Sequence, residues 1–159
     1  MSIRIIPVAL AVAALAAFLA VPRAHAQANE QKCQPSNTTH TRIVKLPGVK
    51  VYEQTCVIRF RSAGKVKAWV HTTWRRTSNR TRFRSYTVQA RLEFHDLDVE
   101  TLRCRYAHDI NSSRSGARTC ETTARVAISQ SPLYTGDGAV DYNAGRGHRH
   151  RGLQGSGGV

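Results

Sequence analysis

Strict alternation of apolar and polar positions dominates the middle of the chain. From 66 to 74, Val66, Ala68, Val70, Thr72 and Trp74 share one parity, and Lys67, Trp69, His71, Thr73 and Arg75 take the other. From 85 to 94, Tyr86, Val88, Ala90, Leu92 and Phe94 form the cleanest apolar row, opposite Ser85, Thr87, Gln89, Arg91 and Glu93. A period of two predicts strands with one buried face. Residues 51–60 repeat it. There Tyr52, Cys56, Ile58 and Phe60 mark the side expected to face inward, Glu53, Thr55 and Arg59 mark the other, and Val57 is the exception.

Turn signals separate these runs. Pro47-Gly48 ends a short strand at 42–46, residues 62–65 form a hairpin turn, and Asp96 and Asp98 mark another. Residues 99–106 alternate less well: Leu97 and Val99 share one parity, whereas Leu102, Cys104 and Tyr106 take the other. A β-bulge near Glu100 and Thr101 reconciles the two halves. After a polar loop at 108–116, residues 119–128 return as a strand with Cys120, Thr122, Ala124, Val126 and Ile128 inward. No stretch after residue 26 carries helical periodicity. Five to six strands at this spacing predict an all-β fold, a small antiparallel sandwich or barrel over residues 42–130.

The two ends of the chain lack the pattern. Residues 1–26 read as a signal peptide: Arg4, an apolar run at 5–21 broken by Pro7, and Ala24-His25-Ala26 as the processing site. The run falls just short of the roughly 20 apolar residues that a spanning helix needs. Residues 27–41 are a polar arm held to the body by Cys33. Residues 131–159 start with Ser131-Pro132 and hold eight of the eleven glycines, interspersed with His and Arg. Such a composition predicts a flexible tail.

Four cysteines lie beyond the leader, Cys33, Cys56, Cys104 and Cys120. An even count in a short exported chain predicts two disulfides and a secreted or periplasmic protein. Three pairings exist, and spacing favours Cys33–Cys56 with Cys104–Cys120. Zinc spacing is absent, with no Cys-x-x-Cys or His-x-x-x-His pair, so no metal or cofactor is expected. His148 and His150 in the glycine-rich segment make too small a ligand set, and Asp137, Asp141 and Asn143 do not match a calcium loop.

Charge gives the chain its chemical direction. The net charge of +14 becomes +12 when Arg4 and Arg23 leave with the leader. Arginine far outnumbers lysine, and its planar fork suits phosphate, sulfate and carboxylate. Five arginines fall within ten residues between the two best strands: Arg75, Arg76, Arg80, Arg82 and Arg84. With Trp74 and Phe83 beside them they make a candidate surface for an anionic ligand: envelope polymer, acidic polysaccharide, lipid head groups or nucleic acid. The bland alternative is a solvated hairpin tip whose charge prevents edge-to-edge association.

Two other functions fit parts of the sequence. A protein-interaction module, an inhibitor or effector, would use Trp69 as an exposed anchor. A small nuclease would need Glu93, His95 and His71 to meet around a phosphate-binding arginine. Three Asn-x-Ser/Thr sequons, at Asn37, Asn79 and Asn111, bear on the arginine tip, because a glycan on Asn79 would cover it.

Overall fold

A computed structural model describes residues 28–34, 43–127 and 133–159. The signal-peptide segment, most of the polar arm's second half and Asn37 lie outside the described residues. The described chain forms ten strands: β1 (Glu30–Cys33), β2 (Ile43–Leu46), β3 (Val49–Phe60), β4 (Lys65–Arg76), β5 (Ser85–Phe94), β6 (Leu97–Arg105), β7 (Ser115–Glu121), β8 (Arg125–Val126), β9 (Tyr134–Asn143) and β10 (His148–Gly152). They make two antiparallel sheets. In the first, β3 and β4 are central, β1 and β2 share one edge, and β7 and β8 share the other. The second runs β10-β9-β5-β6. The sheets pack face to face around a core in which Val51, Val70 and Trp74 of one meet Tyr86, Val88 and Val140 of the other. The fold is thus an all-β antiparallel sandwich, with more strands than the five to six expected.

Both disulfides form in the favoured pairing. Cys33–Cys56 ties β1 to β3, and Cys104–Cys120 joins the edge strands β6 and β7 of opposite sheets. The second bond closes one flank of the sandwich, where no backbone pairing connects the sheets. Within the expected N-terminal arm, residues 30–33 are ordered as β1 and pair with Val57, Ile58 and Arg59 besides Cys56.

Three expectations need correction. The flexible tail expected from residue 131 is instead the centre of the second sheet over much of its length: β9 pairs with β5 from Tyr134↔Phe94 to Asn143↔Ser85. Its glycines serve close packing. A Cβ on Gly136 would lie 2.6 Å from the Cys56 carbonyl oxygen, and one on Gly138 would lie 2.8 Å from Val70 Cγ2. Glycine density therefore marks close approach of the sheets here, a signal that composition alone cannot tell from disorder. The end of the chain folds back as well, with Leu153, Ser156 and Val159 bonded through backbone N–H groups to Gly138, Gly136 and Tyr134.

β3 is turned over relative to expectation. Its inward face carries Val49, Val51, Glu53, Thr55, Val57 and Arg59, while Tyr52, Ile58 and Phe60 are half-buried on the outer face. The parity reading failed because this strand buries ionisable groups, which the core supplies with partners. The Glu53 carboxyl accepts hydrogen bonds from Thr72 Oγ1 and Tyr86 OH, each at 2.6 Å. Arg59 Nη2 donates to the Val159 oxygen at 2.8 Å, and its guanidinium lies over the Tyr134 ring. Burial pushes the Glu53 carboxyl up to about 8, against the downward pull of the two hydroxyl bonds.

A helix also appears, α1 (Ala107–Ser112), inside the expected polar loop. Six residues are too few to show periodicity, and Ile110, with Ala107 packed beside the core, anchors it. The expected bulge is present. Register shifts between Leu92 and Glu93 of β5, leaving Val99 without a partner in the ladder, one residue from the expected place.

Candidate anion-binding end

One end of the sandwich collects four connections: the 47–48 turn, the 77–84 loop, α1 with the residues after it, and the 144–147 turn between β9 and β10. The 77–84 loop is pinned from several sides. Thr77 N–H donates to the Gly48 carbonyl at 2.9 Å, and Thr81 Oγ1 donates to the Pro47 carbonyl at 2.7 Å. Gly48 has φ +76°, and a Cβ there would collide with the Ser78 side chain, so only glycine lets the turn meet the loop. Phe83 plugs the core below, edge-on to Tyr86 at 4.9 Å between centroids. Asn111 on α1 holds Phe83 as a neighbouring strand would: Oδ1 accepts from Phe83 N–H at 2.9 Å and Nδ2 donates to its carbonyl at 2.7 Å. That side chain is spent on the fold, which sets the Asn111 sequon to structural use.

The five predicted arginines divide by role. Arg76, on the inward parity of β4, is 7% exposed. Its Nη1 donates to the Ile110 carbonyl and Asn111 Oδ1, and its Nη2 donates to the carbonyls of Ser78 and Thr81 and to Asn79 Oδ1. It is a structural post for the loop, and all its described acceptors are uncharged. Burial, and then the charge of Arg82, lowers its pKa from the ordinary arginine value. Arg75, Arg80, Arg82 and Arg84 are exposed.

The last three arginines of the loop line separate depressions. Arg80 lines one of about 450 Å³ with Arg146, Arg149 and Arg151 of the β9–β10 hairpin, over Leu46, Pro47 and Tyr142. Arg82 lines one of about 580 Å³ with Arg76 and Arg114, among Thr77, Ser78, Asn79, Ser112 and Ser113. Arg84 borders the largest, about 990 Å³, on the outer face of the second sheet with Arg103, Arg105 and His148. Arg75 sits apart with Lys50 beside the 47–48 turn. The cations thus gather at one end, but around the loop and not within a single groove.

Among the described residues, none of these arginines forms an ion pair with a carboxylate. Two acids reach this end, each paired with another cation: Asp109 with Arg118 at 2.6 Å, and Asp141, which also lines the Arg84 depression, with His150 at 2.7 Å. Sequence reasoning missed Arg103, Arg105, Arg114, Arg146, Arg149 and Arg151. They lie far from the loop in the chain, and three of them fall in the segment read as a flexible tail. The available signal was their shared sign.

The other predicted sites do not assemble in this way. Trp69, expected to be exposed, is half-buried on the outer face of the first sheet between Cys56 and Glu121. His71 lies on that same face, bonded to Thr119 Oγ1 at 3.1 Å, whereas Glu93 faces outward from the second sheet and His95 occupies the turn at the far end. The three parts of the nuclease reading therefore do not meet. No cluster of three His, Cys, Asp or Glu side chains suited to a metal occurs among the described residues, and no described helix is long and apolar enough to cross a membrane. No protein-family model, curated protein or solved structure matches the chain.

Proposed function

We propose that this is an exported binding protein that captures an anionic polymer on the end organised by the 77–84 loop. One observation carries the reading. Arg80, Arg82 and Arg84 each line a depression completed by arginines from other elements, and among the described residues none of these arginines forms an ion pair with a carboxylate. Like charges held together in this way repel. An anion supplied from outside lowers that energy and releases the small ions that screen it. The polymer wraps the loop, with successive acidic groups reaching the three depressions in turn. Hydroxyl and amide donors between the arginines suit phosphate or sulfate oxygens. The two disulfides support an oxidising compartment, in line with export.

Binding of this kind is governed by counterion release. Affinity for heparin, used as a generic polyanion, is expected to fall linearly on a double-logarithmic plot against salt. Three or more engaged acidic groups correspond to a slope steeper than about −2. Affinity that does not change between about 50 and 200 mM salt would remove the basis for the proposal.

A further inference from the structure

The depression around Arg82 differs from the other two in having a buried charge as its wall. Arg76 spends both Nη groups on carbonyl and amide oxygens, so its position is set by the fold and owes nothing to a ligand. Its positive charge remains uncompensated among the described residues. Arg82 and Arg114, both exposed, stand at the rim, while Ser78 and Asn79 supply a hydroxyl and an amide donor.

Arg114 is fixed as firmly at its backbone. Its carbonyl accepts from Arg76 N–H at 2.6 Å, and the preceding Ser113 Oγ accepts from Trp74 Nε1 at 3.0 Å. Ser112 and Ser113 in turn donate to the Asp109 carbonyl, while the Asp109 carboxylate is held by Arg118. No carboxylate lines the depression.

We propose that the Arg76–Arg82–Arg114 depression seats one dianionic phosphate group, either free or at the end of a longer anionic chain. The inference rests on the reading of this end as anion-binding and names the group that its most enclosed charge selects. Three guanidinium groups around one small volume favour two negative charges on one centre over the single charge of a carboxylate or a phosphodiester. The rim arginines fork onto the phosphate oxygens, and the Ser78 hydroxyl and Asn79 amide take those left over. Arg76 contributes its field alone, since its Nη protons are already used.

Titration with inorganic phosphate, followed through backbone amide shifts at 78–82 and 111–114 with chloride holding ionic strength constant, tests the site. Saturable binding is expected, tighter at pH 7.5 than at pH 5.5, because inorganic phosphate is almost wholly the monoanion at the lower value and largely the dianion at the higher. Inorganic sulfate, a dianion at both values, is expected to bind with little change. No histidine or carboxylate lines the depression.

Arg82→Gln and Arg114→Gln are each expected to weaken phosphate about tenfold or more, equivalent to about 1.4 kcal/mol. Arg125→Gln at the opposite end should leave it unchanged. Both rim variants spare Arg76, whose loss would disturb the loop itself. Equal affinity in wild type and both rim variants, or an absence of saturable binding, would overturn the proposal.

A second arm compares an oligonucleotide bearing a 5′-phosphate with the same oligonucleotide ending in a hydroxyl. An advantage for the phosphorylated form assigns the seat to chain ends, and equal binding alongside bound inorganic phosphate assigns it to the free ion. Either result supports the seat. Failure here is distinct from failure of the polymer reading: heparin retention in the rim variants would persist through the other two depressions, whereas salt-insensitive retention would leave the phosphate titration untouched.

Discussion

The two ends of the sandwich carry the same kinds of charge in opposite arrangements. At the end away from the 77–84 loop, cations are matched: Arg61 with Glu30 at 2.6 Å, Lys67 with Glu121 at 2.8 Å, Arg125 with Glu100 at 2.7 Å, and Arg91 with Asp137. At the loop end, where Asp109 pairs with Arg118 and Asp141 with His150, the arginines of the three depressions have one another and polar groups for neighbours and no ion pair among the described residues. Each end also buries one arginine on an inward face. Arg59 is satisfied against Val159 and Tyr134, while Arg76 is satisfied by the loop it supports and still lends its charge to an open depression. Net charge is therefore a poor guide to where a basic protein binds. What matters is where the cations lack carboxylates.

The comparison breaks most readily through the loop. Replacing Arg80, Arg82 and Arg84 together with glutamine is expected to weaken heparin binding roughly 100-fold or more at low salt, and to flatten the salt slope by about two to three. Replacing Arg61 and Arg125, which already have partners, should scarcely change either quantity. Column retention and titration calorimetry read both. Equal losses from the two variants would mean that bulk charge, and not its arrangement, governs binding.

Next in size is the frame that holds both ends in one body. Gly136→Val inserts a side chain where a Cβ already meets the Cys56 carbonyl at 2.6 Å. Overpacking of this kind is expected to cost about 1–3 kcal/mol in denaturant unfolding. A segment detached from the sandwich would show no such loss.

Glu53 sharpens the contrast from within the core, since it is an acid with no cationic partner among the described residues. Its folded pKa of about 8 lies above the ordinary carboxyl value, so the folded state holds this proton more tightly than the unfolded chain does. The associated stability is complete below about pH 4.5 and is lost as pH rises towards 8, by at most about 1.4 kcal/mol per pH unit. Glu53→Gln keeps the neutral shape and is expected to flatten that part of the pH–stability profile. An unchanged slope would show that the carboxyl is ionised in the core.

The smallest effect belongs to single surface pairs. Arg125→Gln removes the bond to Glu100, whose pKa is lowered by the Arg125 and Thr123 hydrogen bonds in spite of the opposing effect of burial. The pair is exposed on the arginine side, so the expected change in unfolding free energy is about 0–1 kcal/mol.

The strands with one clean apolar face were legible from the chain. β4 and β5 bury the residues that alternation marked, and the 47–48 and 62–65 turns fall where Pro and Gly place them. β3 was misread because Glu53 and Arg59 face inward, and no local pattern shows that Thr72, Tyr86 and Val159 will satisfy them. β9 was hidden by Gly136 and Gly138, whose lack of side chains answers to the opposite sheet. For the candidate site, the loop arginines stood out as a cluster, but their companions did not. Arg114 is brought in by α1, and Arg146, Arg149 and Arg151 by a hairpin in the segment read as a flexible tail.

Alternation, turn residues, cysteine spacing and an excess of arginine were properties of the chain itself, since each depends on neighbours a few positions away or on simple counting. Tertiary structure decided which face of β3 is buried, where the glycine-rich segment goes, and which arginines share a depression. Those outcomes depend on contacts between residues tens of positions apart. Most of the paired carboxylates lie towards one end of the sandwich, and the other keeps a group of arginines without ion pairs among the described residues, a separation that exists only once the strands have been laid side by side.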